Sequence, residues 1–143
     1  MIPYVTRYIP IEDIVLFGKI RKAVERLPEI NFGKSERGEE IILSCHILAR
    51  AVAKVFGLKF VDGHLYPHYQ HSWLLTSSGN IIDTYPVAVI GGPIIVDNGK
   101  WSRSSPARFH YKKKGLGNGF NHASFRRSVR KVVKALKEAP TNS

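Results

Sequence analysis

Apolar residues near the N-terminus recur at the spacing of an α-helix. They take every third or fourth position between Pro10 and Pro28: Ile14, Phe17, Ile20, Val24 and Leu27. Two acidic residues, Glu12 and Asp13, stand in the first turn, where the helix dipole favours negative charge. Pro28 cannot continue a helix. The spacing therefore predicts a first helix over residues 10–28.

A second helical pattern ends before Gly57, a residue suited to a helix C-terminus. Its apolar positions are Ile41, Cys45, Leu48, Ala49, Val52 and Phe56. Two starting points fit the pattern. The helix begins near Glu39, which places Cys45 in its middle, or it follows a short strand Ile41–Leu43 with Ser44 as N-cap, which places Cys45 in its first turn.

Beyond Gly57 the apolar spacing changes to alternation and short continuous runs, which are typical of strands. LKFVDGHLYPHYQ predicts a short strand and an aromatic, histidine-rich loop, and HSWLLTSSGNIIDTYPV predicts a hairpin with strands at 71–76 and 81–85. AVIGGPIIVDNGKW predicts a short strand between two turns, and HYKKKGLGNGFN a glycine-rich, basic loop. Residues 124–138 predict a basic amphipathic helix with an apolar stripe of Val129, Val132, Val133 and Leu136.

Helices at both ends of a small antiparallel sheet predict an α+β fold. We expect residues 1–143 to form a single domain, because this length is sufficient to bury a core. The chain is 43% hydrophobic and 23% charged, as in ordinary globular proteins. No apolar run has the length of a membrane span, and the N-terminus lacks the pattern of a secretory signal. We therefore expect a soluble, cytoplasmic protein.

The net charge of +11 is concentrated at one end of the chain. Residues 1–99 carry ten basic and ten acidic residues, whereas residues 100–143 carry twelve basic residues and only Glu138 as an acid. The candidate polyanion-binding residues are Lys112, Lys113, Lys114, Arg126, Arg127, Arg130, Lys131 and Lys134. Such a region suits nucleic acid, an acidic protein or an anionic membrane surface, and it equally suits a docking helix with one solvated face.

The predicted hairpin holds His71 and Asp83, and the length of its loop decides whether they meet. With a two-residue loop, Ser78-Gly79, the two side chains project from opposite faces. With a three-residue loop, 77–79, they become diagonal neighbours on one face, within reach of a hydrogen bond. Glycine at the third loop position favours the longer loop. An imidazole held by a carboxylate has a fixed tautomer and can act as a general base.

Cys45 is the only cysteine, so the chain has no internal disulfide, and a lone cysteine is most often a buried hydrophobe. At a helix N-terminus, the helix dipole and a nearby imidazolium would both favour its thiolate. Nucleophilic catalysis needs such a thiol together with a base and a group that orients the base. The order Cys45, His71, Asp83 can supply all three.

This order resembles the transglutaminase-like branch of the papain-like cysteine enzymes. The matching pieces are residues 45–51 running to Gly57-Leu58, the His-Ser-Trp of 71–73, and residues 79–83. The resemblance implies a papain-like core, in which a cysteine-bearing helix packs on a small antiparallel sheet. It also implies a catalytic triad in which Cys45 is the nucleophile, His71 the general base and then acid, and Asp83 the orienting residue.

The activity implied by the resemblance is acyl transfer through a thioester, without a cofactor. A hydrolase of this kind, a cysteine protease or amidase, cleaves peptide, isopeptide or amide bonds; related reactions are deamidation and transamidation. The substrate would be a peptide or protein. Trp73, Tyr69 and Tyr85 are weaker candidates for substrate binding, and a core position is favoured for Trp73. No role is predicted for His46.

Two alternatives involve no such catalysis. His64, His68 and His71 have the spacing H-x3-H-x2-H, and with Cys45 they form a possible zinc ligand set. Pro67 argues against one continuous helix that presents these histidines together. The other alternative is a basic binding module for nucleic acid or an acidic partner, in which the triad-like residues are structural.

Overall fold

The protein is described by a computed structural model over residues 9–65, 69–84, 93–97, 111–115 and 119–138. These residues form three α-helices: α1 (Ile11–Glu25), α2 (Cys45–Phe56) and α3 (Ala123–Glu138). They also form five strands: β1 (Lys59–Leu65), β2 (Tyr69–Leu75), β3 (Ile81–Asp83), β4 (Ile94–Val96) and β5 (Tyr111–Lys113). A single 3₁₀ turn, Gly119–Asn121, precedes α3. The fold is α+β, as the sequence predicts.

The strands form one antiparallel sheet in the order β4-β3-β2-β1-β5. Two predictions about the strands are wrong. Residues 69 and 70, which were predicted as part of the loop, belong to β2, so this strand begins at Tyr69 instead of His71. The predicted glycine-rich loop contains β5, which pairs with β1 at the sheet edge. Residues 66–68, and Tyr85 at the end of the predicted hairpin, lie outside the described residues.

The second of the two predicted starts for α2 is correct, and a start near Glu39 is wrong. Ser44 has extended backbone, and its hydroxyl accepts a hydrogen bond from the Ile47 N–H at 3.3 Å, so the helix begins at Cys45. Gly57 ends α2 with a left-handed φ of 70°. Residues 41–43 are not a strand; the pairing in this part of the chain is an isolated bridge between Lys34 and Glu40.

The hairpin has the longer of the two predicted loops. Leu74 pairs with Ile82, and the Thr76 N–H donates to the Asn80 carbonyl at 2.9 Å, which leaves residues 77–79 as the loop. Gly79 has a φ of 83°, a conformation that costs little only for glycine. This register places His71 and Asp83 on the same face of the sheet.

A buried carboxylate ties the hairpin to α1. Asp13 is 2% exposed, and its Oδ2 accepts hydrogen bonds from the Thr76 hydroxyl at 2.8 Å and the Asn80 side-chain amide at 2.9 Å. Thr76 and Asn80, which flank the loop, are therefore held both by their backbone hydrogen bond and by the Asp13 carboxylate. Because the loop sets the strand register, Asp13 supports the juxtaposition of His71 and Asp83.

Both faces of the sheet carry buried apolar residues. Leu74, Ile82 and Ile95 belong to the main core with buried residues of α1, α2 and α3. Trp73 and Ile81, which alternate with these positions, belong to a second cluster on the other face. In α3 the buried positions are Ser124, Ser128, Val132 and Leu136. Within the described ranges, no helix is both long enough and apolar enough to cross a membrane.

Candidate active site

Cys45 is the first residue of α2, and its side chain is half-buried. The N-cap satisfies the next donors along the helix: the Ile47 N–H bonds the Ser44 hydroxyl and the Leu48 N–H bonds the Ser44 carbonyl. Helix geometry gives the N–H groups of Cys45 and His46 no acceptor within the helix. These donors and the positive end of the helix dipole lie at the helix end that carries the sulfur, where they favour negative charge.

His71 and Asp83 form a buried pair on adjacent strands. The His71 Nε2–H donates to the Asp83 Oδ2 at 2.8 Å, and the two side chains are 3% and 1% exposed. The Tyr111 hydroxyl donates to the same oxygen at 2.8 Å. Because Nε2 is engaged by Asp83, the ring nitrogen left to face the Cys45 thiol is Nδ1.

The pKa values of Cys45 and His71 are displaced in opposite directions. Burial would raise the pKa of the Cys45 thiol, but hydrogen bonds and positive charge from His46 and His71 lower it from 9.0 to about 6. Burial would lower the pKa of His71, but the bond to Asp83 and the proximity of Cys45 raise it from 6.5 to about 9. Between these values the resting pair is a thiolate and an imidazolium.

A second imidazole reaches the thiol from within α2. His46 hydrogen-bonds the Cys45 side chain, and its Nδ1 lies 2.6 Å from the Ser72 hydroxyl. Ser72 in turn donates to the Asp62 Oδ1 at 2.5 Å. Burial would raise the pKa of Asp62, but hydrogen bonds from Arg50 and Ser72 lower it below its ordinary value, so this carboxylate remains ionised.

Arg50 closes this second chain of hydrogen bonds. Its guanidinium donates to both oxygens of Asp62, with distances of 2.9 and 2.6 Å. It also lies over two phenylalanine rings, 4.3 Å from the centroid of Phe60 and 4.5 Å from that of Phe120. The Phe120 ring contacts the His46 ring at 4.6 Å. Packing and charge together hold Asp62 and the second imidazole in place.

The three predicted substrate-binding aromatics have different positions. Trp73 is 3% exposed in the second core cluster, so its packing is that of a core residue. Its ring lies 6.3 Å from the His71 ring and meets Tyr111 edge-on at 5.2 Å. Tyr69 is 63% exposed on β2. Tyr85 lies outside the described residues.

The structure brings no zinc ligand set together in the part of the chain that it describes. No group of three or more His, Cys, Asp or Glu side chains is arranged there to hold a metal ion. His71 is hydrogen-bonded to Asp83, while His64 pairs with Gln70 along the β1–β2 ladder. His68 lies outside the described residues.

The predicted polyanion-binding residues fall on two elements. Lys112 and Lys113 are exposed on the edge strand β5, and Lys114 follows it. The others lie on α3: Arg126, Arg127, Arg130, Lys131 and Lys134. Two of these, Arg126 and Arg130, line a cavity of about 420 Å³ together with Phe60, Phe120 and Phe125.

Sequence reasoning missed Tyr111 and assigned no role to His46. Tyr111 falls in the segment predicted as a glycine-rich, basic loop, so its position on a strand paired with β1 was not predicted. The partner of His46 also depends on strand pairing, since Ser72 meets Asp62 across the β1–β2 ladder. For Arg50, the local sequence did indicate a position beside His46. Arg50 lies four residues after His46, one helical turn away on the same face of α2.

Comparisons of the chain with protein families, curated proteins and solved structures found no match. The chemistry of the site is therefore argued from its geometry. A thiolate at a helix N-terminus, an imidazolium held by a carboxylate and two backbone N–H groups without an acceptor inside the helix are the parts that acyl transfer through sulfur requires. Sulfur supplies the nucleophile, the imidazole moves the proton, and the N–H groups can stabilise an oxyanion.

Proposed function

We propose that the chain is a cysteine enzyme that transfers acyl groups through a thioester, with peptide or amide bonds as substrates. We also propose that the chain is related to the transglutaminase-like branch of the papain-like enzymes, which its sequence resembles. The observation that carries it is the position of His71, which bonds Asp83 through Nε2 and lies beside the Cys45 thiol. Asp83 thus fixes the imidazole in the tautomer that moves a proton to and from the substrate.

In the first half of the reaction, the Cys45 thiolate attacks the carbonyl carbon of the substrate amide. A C–S bond forms, and the carbonyl oxygen becomes an oxyanion held by the N–H groups of Cys45 and His46. The His71 imidazolium then donates its Nδ1 proton to the amide nitrogen. The C–N bond breaks, the amine leaves and a thioester remains on Cys45.

In the second half, neutral His71 accepts a proton at Nδ1 from a water molecule as the water oxygen attacks the thioester. The C–S bond breaks, the carboxylic acid product is released and the thiolate–imidazolium pair returns. An amine in place of water completes a transamidation by the same steps. In both cases the moving proton leaves and returns at Nδ1, because Asp83 holds the other ring proton on Nε2.

The test of this proposal is the rate at which iodoacetamide alkylates Cys45 from pH 4 to 10. For the wild type we expect the rate to rise with a midpoint at about pH 6, where the thiol loses its proton. In His71→Ala the midpoint should move upward, toward the ordinary value, because the neighbouring positive charge is lost. His122→Ala, which removes an exposed imidazole just before α3, is the matched control and should keep the wild-type midpoint.

The proposal fails if Cys45 titrates as an ordinary thiol, near 9.0, in both the wild type and His71→Ala. A positive result is then extended with peptide and isopeptide libraries. Cys45→Ala should abolish turnover, and Asp83→Asn should lower it by about 10²–10⁴-fold while leaving the thiol in place.

A second candidate function, polyanion binding, is supported by the basic aromatic cavity. Its lining combines Phe60, Phe120 and Phe125 with four basic residues of α2 and α3: Arg50, Lys54, Arg126 and Arg130. Exposed guanidinium groups beside aromatic rings suit phosphates and stacked bases. Phosphate contacts would make such binding fall steeply with salt.

The measurement for this candidate is the affinity of the full chain for a fluorescent single-stranded oligonucleotide at several salt concentrations. We expect Arg126→Glu with Arg130→Glu to remove most of the salt-dependent binding. Lys19→Glu with Lys22→Glu, at exposed positions of α1, makes the same change of charge and should have a smaller effect. Equal losses in both variants would show a response to net charge alone, and this candidate function would be rejected.

A further inference from the structure

A groove of about 830 Å³ lies between the end of α1 and the start of α2. Its apolar surface comes mainly from the connection between these helices and from the main core: Leu27, Ile30, Phe32, Ile41, Ile42 and Leu48. Ile42 is 74% exposed, an unusual position for a large apolar side chain in an otherwise charged surface. The volume is in the range of small-molecule and peptide pockets.

The groove begins beside two residues of the candidate site. Leu43 lies two residues before Cys45, and Thr84 follows Asp83 directly; both line the groove. Two residues of extended chain span at most about 7 Å, so the groove begins within one or two substrate residues of the reacting atoms. Among its described lining residues, none belongs to β2, the strand that carries His71.

The polar groups of the groove are acidic or neutral. Glu25, Glu29 and Glu40 stand at its rim, and the described lining includes no lysine or arginine, although the chain carries a net charge of +11. Glu25 is paired with Arg21, which leaves Glu29 and Glu40 as the carboxylates that a ligand can meet. Glu29 and Glu40 therefore attract a cationic group, although the Lys131 ammonium, which donates to the Asn31 carbonyl at 2.9 Å, lies beside the groove.

One buried polar group in the groove has no hydrogen-bond partner among the described residues. Thr84 is 2% exposed, and its hydroxyl makes no hydrogen bond to any part of the chain that the structure describes. Buried hydroxyls are normally paired. A peptide backbone in the groove would offer the carbonyl or N–H that this hydroxyl lacks.

We propose that the groove binds the acyl side of a peptide substrate, with a large apolar side chain on its floor and a basic residue next to it at the rim. This inference rests on the proposed function. The orientation of the peptide in the groove follows from the position of the general acid, His71. The leaving amine must depart beside His71 to receive its proton. The acyl side must then extend away from His71, toward Leu43 and Thr84.

The test uses three acetylated tripeptide chloromethyl ketones with the sequences Lys-Leu-Gly, Lys-Ser-Gly and Glu-Leu-Gly. Each alkylates the Cys45 sulfur, with chloride as the leaving group, and the rate is followed by the mass of the intact chain. We expect Lys-Leu-Gly to react at least about tenfold faster than Lys-Ser-Gly, because leucine buries more apolar surface. It should also react a few-fold faster than Glu-Leu-Gly, and salt should reduce this second preference.

Two pairs of variants assign these preferences to the groove. Glu29→Lys with Glu40→Lys should reverse the preference between Lys-Leu-Gly and Glu-Leu-Gly, whereas Glu12→Lys with Glu36→Lys, outside the groove, should not. Ile42→Ser should reduce the preference for leucine over serine, whereas Val15→Ser, an exposed apolar residue on α1, should not. All six substitutions lie at exposed positions, so each of the four variants is expected to fold.

Iodoacetamide separates the failure of this inference from the failure of the proposed function. If iodoacetamide shows the lowered thiol pKa but the three tripeptides react at equal rates, the groove assignment is wrong and the enzyme proposal stands. The groove assignment also fails if the preferences persist unchanged in Glu29→Lys/Glu40→Lys and Ile42→Ser. If Cys45 titrates as an ordinary thiol, the proposed function fails first.

Discussion

Two imidazoles contact the Cys45 thiol, and the hydrogen bonds behind them fix their tautomers. An ionised Asp62 only accepts, so Ser72 gives its single proton to that carboxylate. The Ser72 oxygen can then only accept from His46, whose Nδ1 must carry a proton. This leaves the His46 Nε2 for the sulfur. His71 has the opposite arrangement, with Nε2 tied to its carboxylate and Nδ1 facing the thiol.

At the residue scale, we predict that His46→Gln raises the pKa of Cys45 above about 6 while keeping it below 9.0, because His71 still stabilises the thiolate. Ser72→Ala should act in the same direction and by a smaller amount, since it releases His46 without removing it. The thiolate fraction at pH 6 then falls several-fold in both variants. The pH dependence of alkylation measures these midpoints.

The matched control for these two variants is His122→Gln, which changes an exposed imidazole outside the site. It should leave the alkylation profile unchanged. An unchanged midpoint in His46→Gln would show that His71 alone sets the pKa of the thiol, and the second imidazole would then have only a packing role.

At the scale of elements, the candidate site depends on how closely β5 approaches β1. Gly63 of β1 pairs with His71 on one side and with Lys113 on the other. A Cβ at position 63 would overlap the Lys112 carbonyl oxygen and would lie 2.6 Å from the Trp73 ring. Any larger residue must therefore push β5 outward, and β5 carries the Tyr111 hydroxyl that bonds Asp83.

We predict that Gly63→Ala lowers the free energy of unfolding by about 1–3 kcal/mol, because it overpacks this part of the sheet. It should also slow alkylation of Cys45 at neutral pH, since Asp83 loses a hydrogen bond. Urea denaturation and iodoacetamide labelling measure the two effects. Gly18→Ala is the control; a Cβ there meets no atom within 4 Å, and alanine should stabilise α1 by about 0.5–1 kcal/mol.

Tyr111→Phe separates the two effects of Gly63→Ala. It removes the hydroxyl from Asp83 and leaves the aromatic packing against Trp73, so its cost in stability should be smaller. If Gly63→Ala is as stable as the wild type, β5 moves away without strain, and the close approach is not a structural requirement.

The parts of the fold that follow from local chemistry were predictable from the sequence. The Ser44 N-cap predicted one of two possible helix starts, the one that places Cys45 in the first turn, and glycine at the third loop position favoured the loop that puts His71 on the same face as Asp83. Tyr111 and the partners of His46 were not predictable, because they depend on strand pairing between distant segments. A three-residue edge strand with two lysines has too little apolar alternation to distinguish it from a loop.

At the scale of the whole molecule, the Cys45–His71 pair has a small effect on how stability depends on pH. His71 has a folded pKa above 6.5, so its contribution to stability is complete below pH 6.5 and is lost as pH rises through about 9. Cys45 has a folded pKa below 9.0, so its contribution is complete above pH 9.0 and is lost as pH falls through about 6. The two slopes are opposite and nearly cancel between these limits.

We predict that Cys45→Ala makes stability depend on pH. Without the thiol, Asp83 still raises the pKa of His71, so unfolding becomes easier as pH rises above 6.5, by at most about 1.4 kcal/mol per pH unit. Urea midpoints of wild type and Cys45→Ala between pH 6.5 and 9 measure the difference, and the other titrating groups cancel in the comparison. The double variant Cys45→Ala/His71→Ala should lose the added dependence. Parallel curves for wild type and Cys45→Ala would contradict the displaced pKa of His71.

The thiolate that suits Cys45 to attack a carbonyl also exposes it to peroxide. A half-buried sulfur with a pKa of about 6 is largely ionised at neutral pH, and thiolates oxidise to sulfenic acid far more readily than thiols do. These 143 residues contain no second cysteine to capture that sulfenic acid as a disulfide. Its reduction must therefore come from a thiol outside the chain, and without one the sulfur can proceed to the irreversible sulfinic acid.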